Sequence, residues 1–288
     1  MVEVRRVGEV VDILGEGPVW CPIEQALYWV DITAPVVRRW CASTGEITTW
    51  PMPESVGSLA LCDRGILVAL KTTISVFDPA TGGFTAVGRP RDDGADMRFN
   101  DGKCDRQGRF WVGSMPMGAR APRGRLYRHD PGGATTAVLD GIAIPNSLCW
   151  SPDGRTMYFA DSHQHTIWAF PYEPATGEIG KREIFVRTQP HEVPDGGTVD
   201  AEGYVWSARY GGGRVVRHAP DGRVDRVLEV PAKQVTSCAF GGADLGTLFI
   251  TTASQRLTEE QRRAQPLAGA LFAVEPGVRG LPEPRFAG

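Results

Sequence analysis

Six residues at nearly even intervals carry the chemistry open to this sequence. They are Glu16, Gly57, Asn100, Asn146, Asp195 and Thr236, separated by 41, 43, 46, 49 and 41 positions. Two are carboxylates and two are carboxamides. If the fold makes these positions converge, strong oxygen donors crowd into one small volume, where they repel one another or go unsatisfied. A divalent cation removes both problems. Glu16, Asn146 and Asp195 would supply two carboxylates and one amide oxygen, with no His or Cys among the six. That donor set suits Ca²⁺, Mg²⁺ or Mn²⁺ better than a structural zinc site. Ca²⁺ is the expected ion, although the ligand types do not separate it from Mn²⁺ or Mg²⁺ and do not exclude Zn²⁺ or Fe²⁺. Three protein ligands leave positions for water and substrate, as a catalytic metal requires. Taken singly, each Asp or Asn could equally be a turn residue capping its own backbone. Four at one repeat position are poorly explained that way.

Convergence follows from the elements around them. Each of the six immediately precedes a copy of one module: GPVWCPIEQALYWVDI (17–32), SLALCDRGILVALK (58–71), DGKCDRQGRFWVGS (101–114), SLCWSPDGRTMYFADS (147–162), GGTVDAEGYVWSARY (196–210) and SCAFGGADLGTLFITTA (237–253). A module is an apolar strand, a tight turn with Asp, Gly or Pro, and a strand rich in β-branched and aromatic residues. Most modules lead into a second hairpin through turns such as STGE, ATGG or ATGE. Six copies in 288 residues leave about 48 residues each, the period of a four-stranded propeller blade. The expected fold is therefore all-β: one six-bladed β-propeller domain over 1–288, with four-stranded antiparallel blades around a central channel. Helical crossovers for a parallel sheet have no room. One short helix is expected near Thr258–Ala264, where Thr258 and Gln261 have capping-box spacing. The segment Glu3–Val11 should supply the outer strand of the last blade, beside Gly269–Val274, so that no edge is left open. Inner strands line the channel, so the six residues form a ring at one mouth. The long connections 116–124 and 254–268 return to that mouth and should roof it.

Composition narrows the partners. The chain is 42% hydrophobic and 23% charged, with a net charge of −3, which is ordinary globular composition. Its 35 Gly and 22 Pro are spread as turns. The 31 basic residues do not cluster, and only four are Lys, so neither nucleic acid nor an acidic membrane is an expected partner. No stretch approaches the roughly 18 apolar residues of a membrane span. The start, MVEVRRVGEVVDILGEG, lacks a signal-peptide core, so a cytoplasmic location is expected, as a monomer or weak homodimer. The six cysteines, without a CxxC pair, are expected to be reduced and mostly buried.

Four segments in order carry a resemblance: LGEGPVW (14–20), RFNDGKCDRQGRFWVGSM (98–115), IPNSLCWSPDGRTMYFADS (144–162) and PDGGTVDAEGYVWSARY (194–210). In these the chain resembles regucalcin (senescence marker protein), the gluconolactonases and related sugar lactonases, over nearly its whole length. The resemblance implies a six-bladed propeller with one divalent metal on Glu16, Asn146 and Asp195. It implies that Arg98 and Asn100, with Asp101 beside them, bind the hydroxyls or ring oxygens of a sugar lactone. One departure stands out. Regucalcin-type members place an acidic residue in the connection after the third module, whereas PMGARAPRGR (116–125) contains none. A different sugar acid lactone is the expected consequence.

The implied reaction is hydrolysis of an aldono-lactone to the aldonic acid, with the carbonyl polarised by the metal and Asp195 accepting a proton from water. Arg98 and Asn100 would orient the polyol, though Arg98 could instead pair with Asp92, Asp93 or Asp96. A metal-dependent phosphotriesterase or broad esterase on the same fold, and a non-enzymatic calcium-binding propeller, are the competing readings. His163 and His165 sit in a ring-side loop and read mainly as solvated. Arg209 and Tyr210 could support the site from behind. Ser147 lies outside any GxSxG elbow and is not expected to be a nucleophile. Trp20, Trp111, Trp150 and Trp206 should pack between blades, and Asp105, Asp153 and Asp221 should cap turns.

Overall fold

The computed structural model describes residues 3–90, 94–118 and 121–288. Its strands form six antiparallel sheets in chain order. The inner strands are Gly15–Cys21, Val56–Cys62, Met97–Cys104, Pro145–Trp150, Val193–Val199 and Val235–Gly241. Each packs against the inner strand of the next blade, and the sixth packs against the first, closing a six-bladed propeller. In the fourth blade the third strand, Thr166–Glu173, pairs both with a two-residue strand, Glu178–Ile179, and with the outer strand, Glu183–Arg187. The ring closes as expected: Arg5–Val7 pairs with Leu271–Val274, so the outermost strand of the last blade comes from the start of the chain. Both Thr258–Gln261 capping-box bonds form ahead of the helix Glu259–Ala264. Among the described residues no helix is long and apolar enough to cross a membrane.

The core divides into six apolar clusters, one at each interface between neighbouring blades. The four tryptophans lie in them. Trp20 stacks on Phe249 of the sixth blade at 5.5 Å, Trp111 meets Trp150 at 6.2 Å, and Trp206 meets Phe240 edge-on at 5.7 Å. Five cysteines are buried, Cys41 is half-buried, and all six are free thiols.

Turn acids do more than cap. Asp153 and Asp221 only hold their own turns and neighbours. Asp105 also accepts the Trp111 indole at 3.2 Å, and Asp200 the Trp206 indole at 2.8 Å. Asp200 further holds the Arg217 guanidinium, which lies over the Tyr204 ring at 3.7 Å. Both partners are fully desolvated, with side chains 0% and 4% exposed. Breaking such a pair strands a buried charge, at roughly 3–5 kcal/mol. Asp200→Ala is expected to lose about 3 kcal/mol in urea unfolding, since Arg217 keeps Glu202 and Asp225. A loss below about 1 kcal/mol, within the range of surface changes, would contradict this account.

The two channel mouths differ. The chain end crosses the mouth away from the ring, where Phe286 donates its amide to Leu61 and Arg285 its guanidinium to the Cys62 carbonyl. Glu283 there meets Lys103 at 3.0 Å. A cavity of about 30 Å³ remains beneath this tail. That end is plugged, so a small molecule enters from the ring side.

Candidate metal centre and substrate cavity

Every inner strand breaks register at the same place. The irregularities fall between Glu16 and Val19, Val56 and Ser58, Phe99 and Gly102, Asn146 and Cys149, Pro194 and Gly197, and Val235 and Ser237. A bulge inserts an unpaired residue and re-aims the side chain beside it. Repeated six times, it turns the ring residues toward the axis instead of into a blade interface. Gly17 and Ser147, each just after a ring residue, take left-handed backbone (φ 53° and 59°). Gly57 supplies no donor, for a steric reason: a Cβ there would lie 2.5 Å from the Phe99 carbonyl oxygen. Thr236 faces away from the others, donating its hydroxyl to the Gly15 carbonyl.

That leaves Glu16, Asn100, Asn146 and Asp195, all buried at 3–7% exposure. The carboxyls of Glu16 and Asp195 lie within hydrogen-bonding reach of each other. Burial, then the nearby Asp101 charge, pushes Glu16 up to about 8. Asp195 is driven well above the usual carboxylate range by burial and by Glu16. Glu16 accepts the Gly17 amide at 3.0 Å. Arg98 supplies attraction from a distance but bonds to neither carboxylate, since its Nη1 donates to the Phe99 carbonyl and to Asn100 Oδ1, both at 2.8 Å. Asn146 is oriented by a relay. Ser162 donates its hydroxyl to the Pro194 carbonyl and accepts from Asn146 Nδ2 at 2.7 Å. Asn146 Oδ1 is thereby turned to the ring, where Asn100 Nδ2 reaches it at 3.2 Å.

Over this ring lies a cavity of about 130 Å³, on a measure by which one water needs roughly 10–15 Å³. Glu16, Arg98, Asn100, Asn146 and Asp195 line it, and Leu14, Met115, Ile144 and Val193 give it an apolar wall. Tyr210 and, from the 254–268 connection, Gln255 and Arg256 complete the lining. Asp101, expected to bind substrate, is not in the lining. It sits one residue further down its strand, beneath the ring, and accepts the Leu148 amide at 3.0 Å. The histidines also lie elsewhere, His165 being bonded to the Glu192 carbonyl. Arg209 is buried against His218 in the fifth blade. Ser147 donates its hydroxyl to the Asp195 carbonyl, a structural bond. Of the acids that could have paired with Arg98, Asp92 and Asp93 lie outside the described residues, and Asp96 pairs with Arg123. Residues 119 and 120 of the other connection also lie outside them.

The donor set fits a hard cation. Among the described residues no three His, Cys, Asp or Glu side chains gather at metal-binding distance; the convergent oxygens are two acids and an amide. Two buried carboxyls face each other with no Lys or Arg among the described residues hydrogen-bonded to either, an arrangement stable only with a shared proton or an added positive charge. Oxygen donors without nitrogen or sulfur suit Ca²⁺-like ions.

Comparison with known proteins matches this architecture. The family model for the SMP-30/Gluconolactonase/LRE-like region matches residues 14–254. The chain belongs to that family. Regucalcin from Gallus gallus is 36% identical over all of this chain and 99% of its own length. L-arabinolactonase from Azospirillum brasilense is 39% identical, covering 96% and 92% of the two chains. The crystal structure of a calcium-binding protein, regucalcin, from Agrobacterium tumefaciens superposes with a TM-score of 0.95 at 33% identity, covering 99% and 97%. The chain and that regucalcin structure therefore share one six-bladed framework over nearly their whole lengths.

Proposed function

We propose that this protein hydrolyses a sugar lactone to the aldonic acid with the help of one divalent cation, Ca²⁺ in the first instance, held by Glu16, Asn146 and Asp195. The observation that carries the reading is the pair of facing, buried carboxyls at the floor of a sugar-sized cavity in a family whose relatives include an arabinolactonase. When bound, the ion supplies Lewis-acid polarisation of a carbonyl and the positive charge that keeps both carboxylates ionised. Asp195 accepts a proton from the attacking water as the water oxygen bonds to the carbonyl carbon. It returns that proton to the ring oxygen as the carbon–oxygen ring bond breaks, releasing an open hydroxy acid. Arg98, held in place by its bond to Asn100 Oδ1, presents a rigid donor face to the polyol, and Asn100 beside it helps fix which carbon meets the water. Leu14, Ile144 and Val193 keep bulk water from the reacting face.

Assay of purified, Ca²⁺-loaded protein against aldono-1,4- and 1,5-lactones and against an organophosphate triester tests this reading. Lactone hydrolysis should dominate kcat/KM by at least about 100-fold, a transition-state difference near 3 kcal/mol. Preference for the triester would replace the proposal with phosphotriester hydrolysis. Activity on neither would favour a calcium-binding propeller without catalysis.

A further inference from the structure

We infer that the lactone this cavity is built for carries an anionic substituent remote from the reacting carbonyl, and that Arg256 binds it; this rests on the lactonase reading. Arg256 reaches the cavity lining from the 254–268 connection. Among the described residues, two other exposed arginines of the neighbouring connection are committed, Arg123 to Asp96 and Arg125 to Asp140. No hydrogen bond or ion pair engages Arg256 among the described residues. Arg98 lies in the same lining, and its pKa is lowered to about 10 by burial, against the raising effect of Glu16 and Asp195 and with a further lowering from Arg256.

The backbone is held at a cost to keep it there. Arg256 has φ 56°, in the left-handed region that disfavours a residue with a Cβ. Such conformations persist where the surroundings over-determine them. Here Ser254 and Gln255 donate their amides to the Ile13 carbonyl at 3.1 and 2.9 Å, Ser254 Oγ donates to the Asp12 carbonyl at 2.8 Å, and Gln255 Nε2 reaches the Tyr210 hydroxyl at 3.3 Å. The loop is pinned to both blades that flank its own, the first through Asp12 and Ile13 and the fifth through Tyr210, and the arginine lines the cavity.

Charge accounting then selects the ligand. The lining contains two carboxylates, Glu16 and Asp195, and two guanidiniums, Arg98 and Arg256. A divalent cation offsets both carboxylates and leaves two positive charges. Opening any lactone generates one carboxylate, which matches one of them. The second is unmatched by a neutral sugar and matched by a lactone that already bears a carboxylate, sulfonate or phosphate. A guanidinium binds such groups through two charge-assisted hydrogen bonds, a geometry hydroxyls do not provide.

The test compares D-glucaro-1,4-lactone, which carries a carboxylate, with neutral D-galactono-1,4-lactone, on wild-type protein and Arg256→Gln at fixed free Ca²⁺. The wild-type kcat/KM ratio, anionic over neutral, should exceed about tenfold, the worth of one charged hydrogen-bonded contact. In R256Q that ratio should collapse toward one, mainly through KM. Calorimetric titration provides a readout apart from turnover: glucarate should bind more tightly than gluconate, and R256Q should abolish the difference. Hydrolysis of the neutral lactone with equal ratios in both proteins would overturn this inference alone. Failure to hydrolyse either lactone would overturn the lactonase reading together with it.

Discussion

Asp195→Ala is expected to lower kcat/KM for lactone hydrolysis by about 10³-fold or more, while circular dichroism and tryptophan emission stay those of the wild type. The size of the loss reflects two functions in one carboxylate, a cation donor and the proton acceptor, where general-base catalysis by itself is worth roughly 10²–10⁴-fold. Preservation of the fold follows from where the stability resides. The six apolar clusters lie between blades, and none includes Asp195. Removing one of two facing buried carboxyls also relieves repulsion, so the chelated variant should unfold at a urea concentration equal to or above that of the chelated wild type. Asp195→Asn separates the functions, since it keeps an oxygen donor of similar shape and loses the proton acceptor. Metal content near wild type with turnover down by at least about 100-fold in that variant would assign the proton to Asp195. Wild-type turnover in either variant would remove Asp195 from the chemistry and favour the calcium-binding module.

How far the sequence reached can be traced through particular residues. Module repetition made the propeller legible, because every blade restates the same strand–turn–strand pattern and only a closed ring spares the last blade an open edge. The N-terminal strand beside Leu271–Val274 was legible for the same reason. The ring emerged from spacing alone, since one repeat position is one place around an axis. What spacing could not show was direction. Asp101 follows Asn100 directly, yet the bulge between Phe99 and Gly102 sends one side chain to the cavity and the other beneath it. A register break carries no composition signal, so adjacent polar residues read alike. Arg256 was hidden differently. Its connection was recognisable by length, but which residue of a non-repeating loop faces the axis depends on the anchors at Ile13, Asp12 and Tyr210, which are far away in sequence. The plugged mouth has no signature in the sequence because the tail 280–288 has no repeat to compare with. Lys103 is a signal of it, a rare lysine inside an apolar inner strand whose ammonium is met by Glu283, 180 positions later, and by the Gly197 carbonyl.

Chelation is expected to produce the other large effect. Removing the divalent ion should lower lactone turnover by at least about 100-fold, as loss of an electrostatic stabiliser does, and add-back should restore it. It should also shift the melting temperature, and this separates a resident ion from one that merely accompanies substrate. A ligand at a hundred times its Kd stabilises the folded state by about 2.7 kcal/mol, which for a chain of this size is roughly 5 °C. The shift should be larger than that of an ordinary surface site, because the ion takes over the repulsion between Glu16 and Asp195 that the free protein must bear or quench with a proton. Glu16→Gln checks the cause. With one carboxyl neutral the repulsion is already gone, so the variant should melt above wild type after chelation and gain little from added Ca²⁺. If chelated wild type and chelated E16Q melt together, and Ca²⁺ shifts both equally, the ion resides elsewhere on the protein and the ring does not hold it.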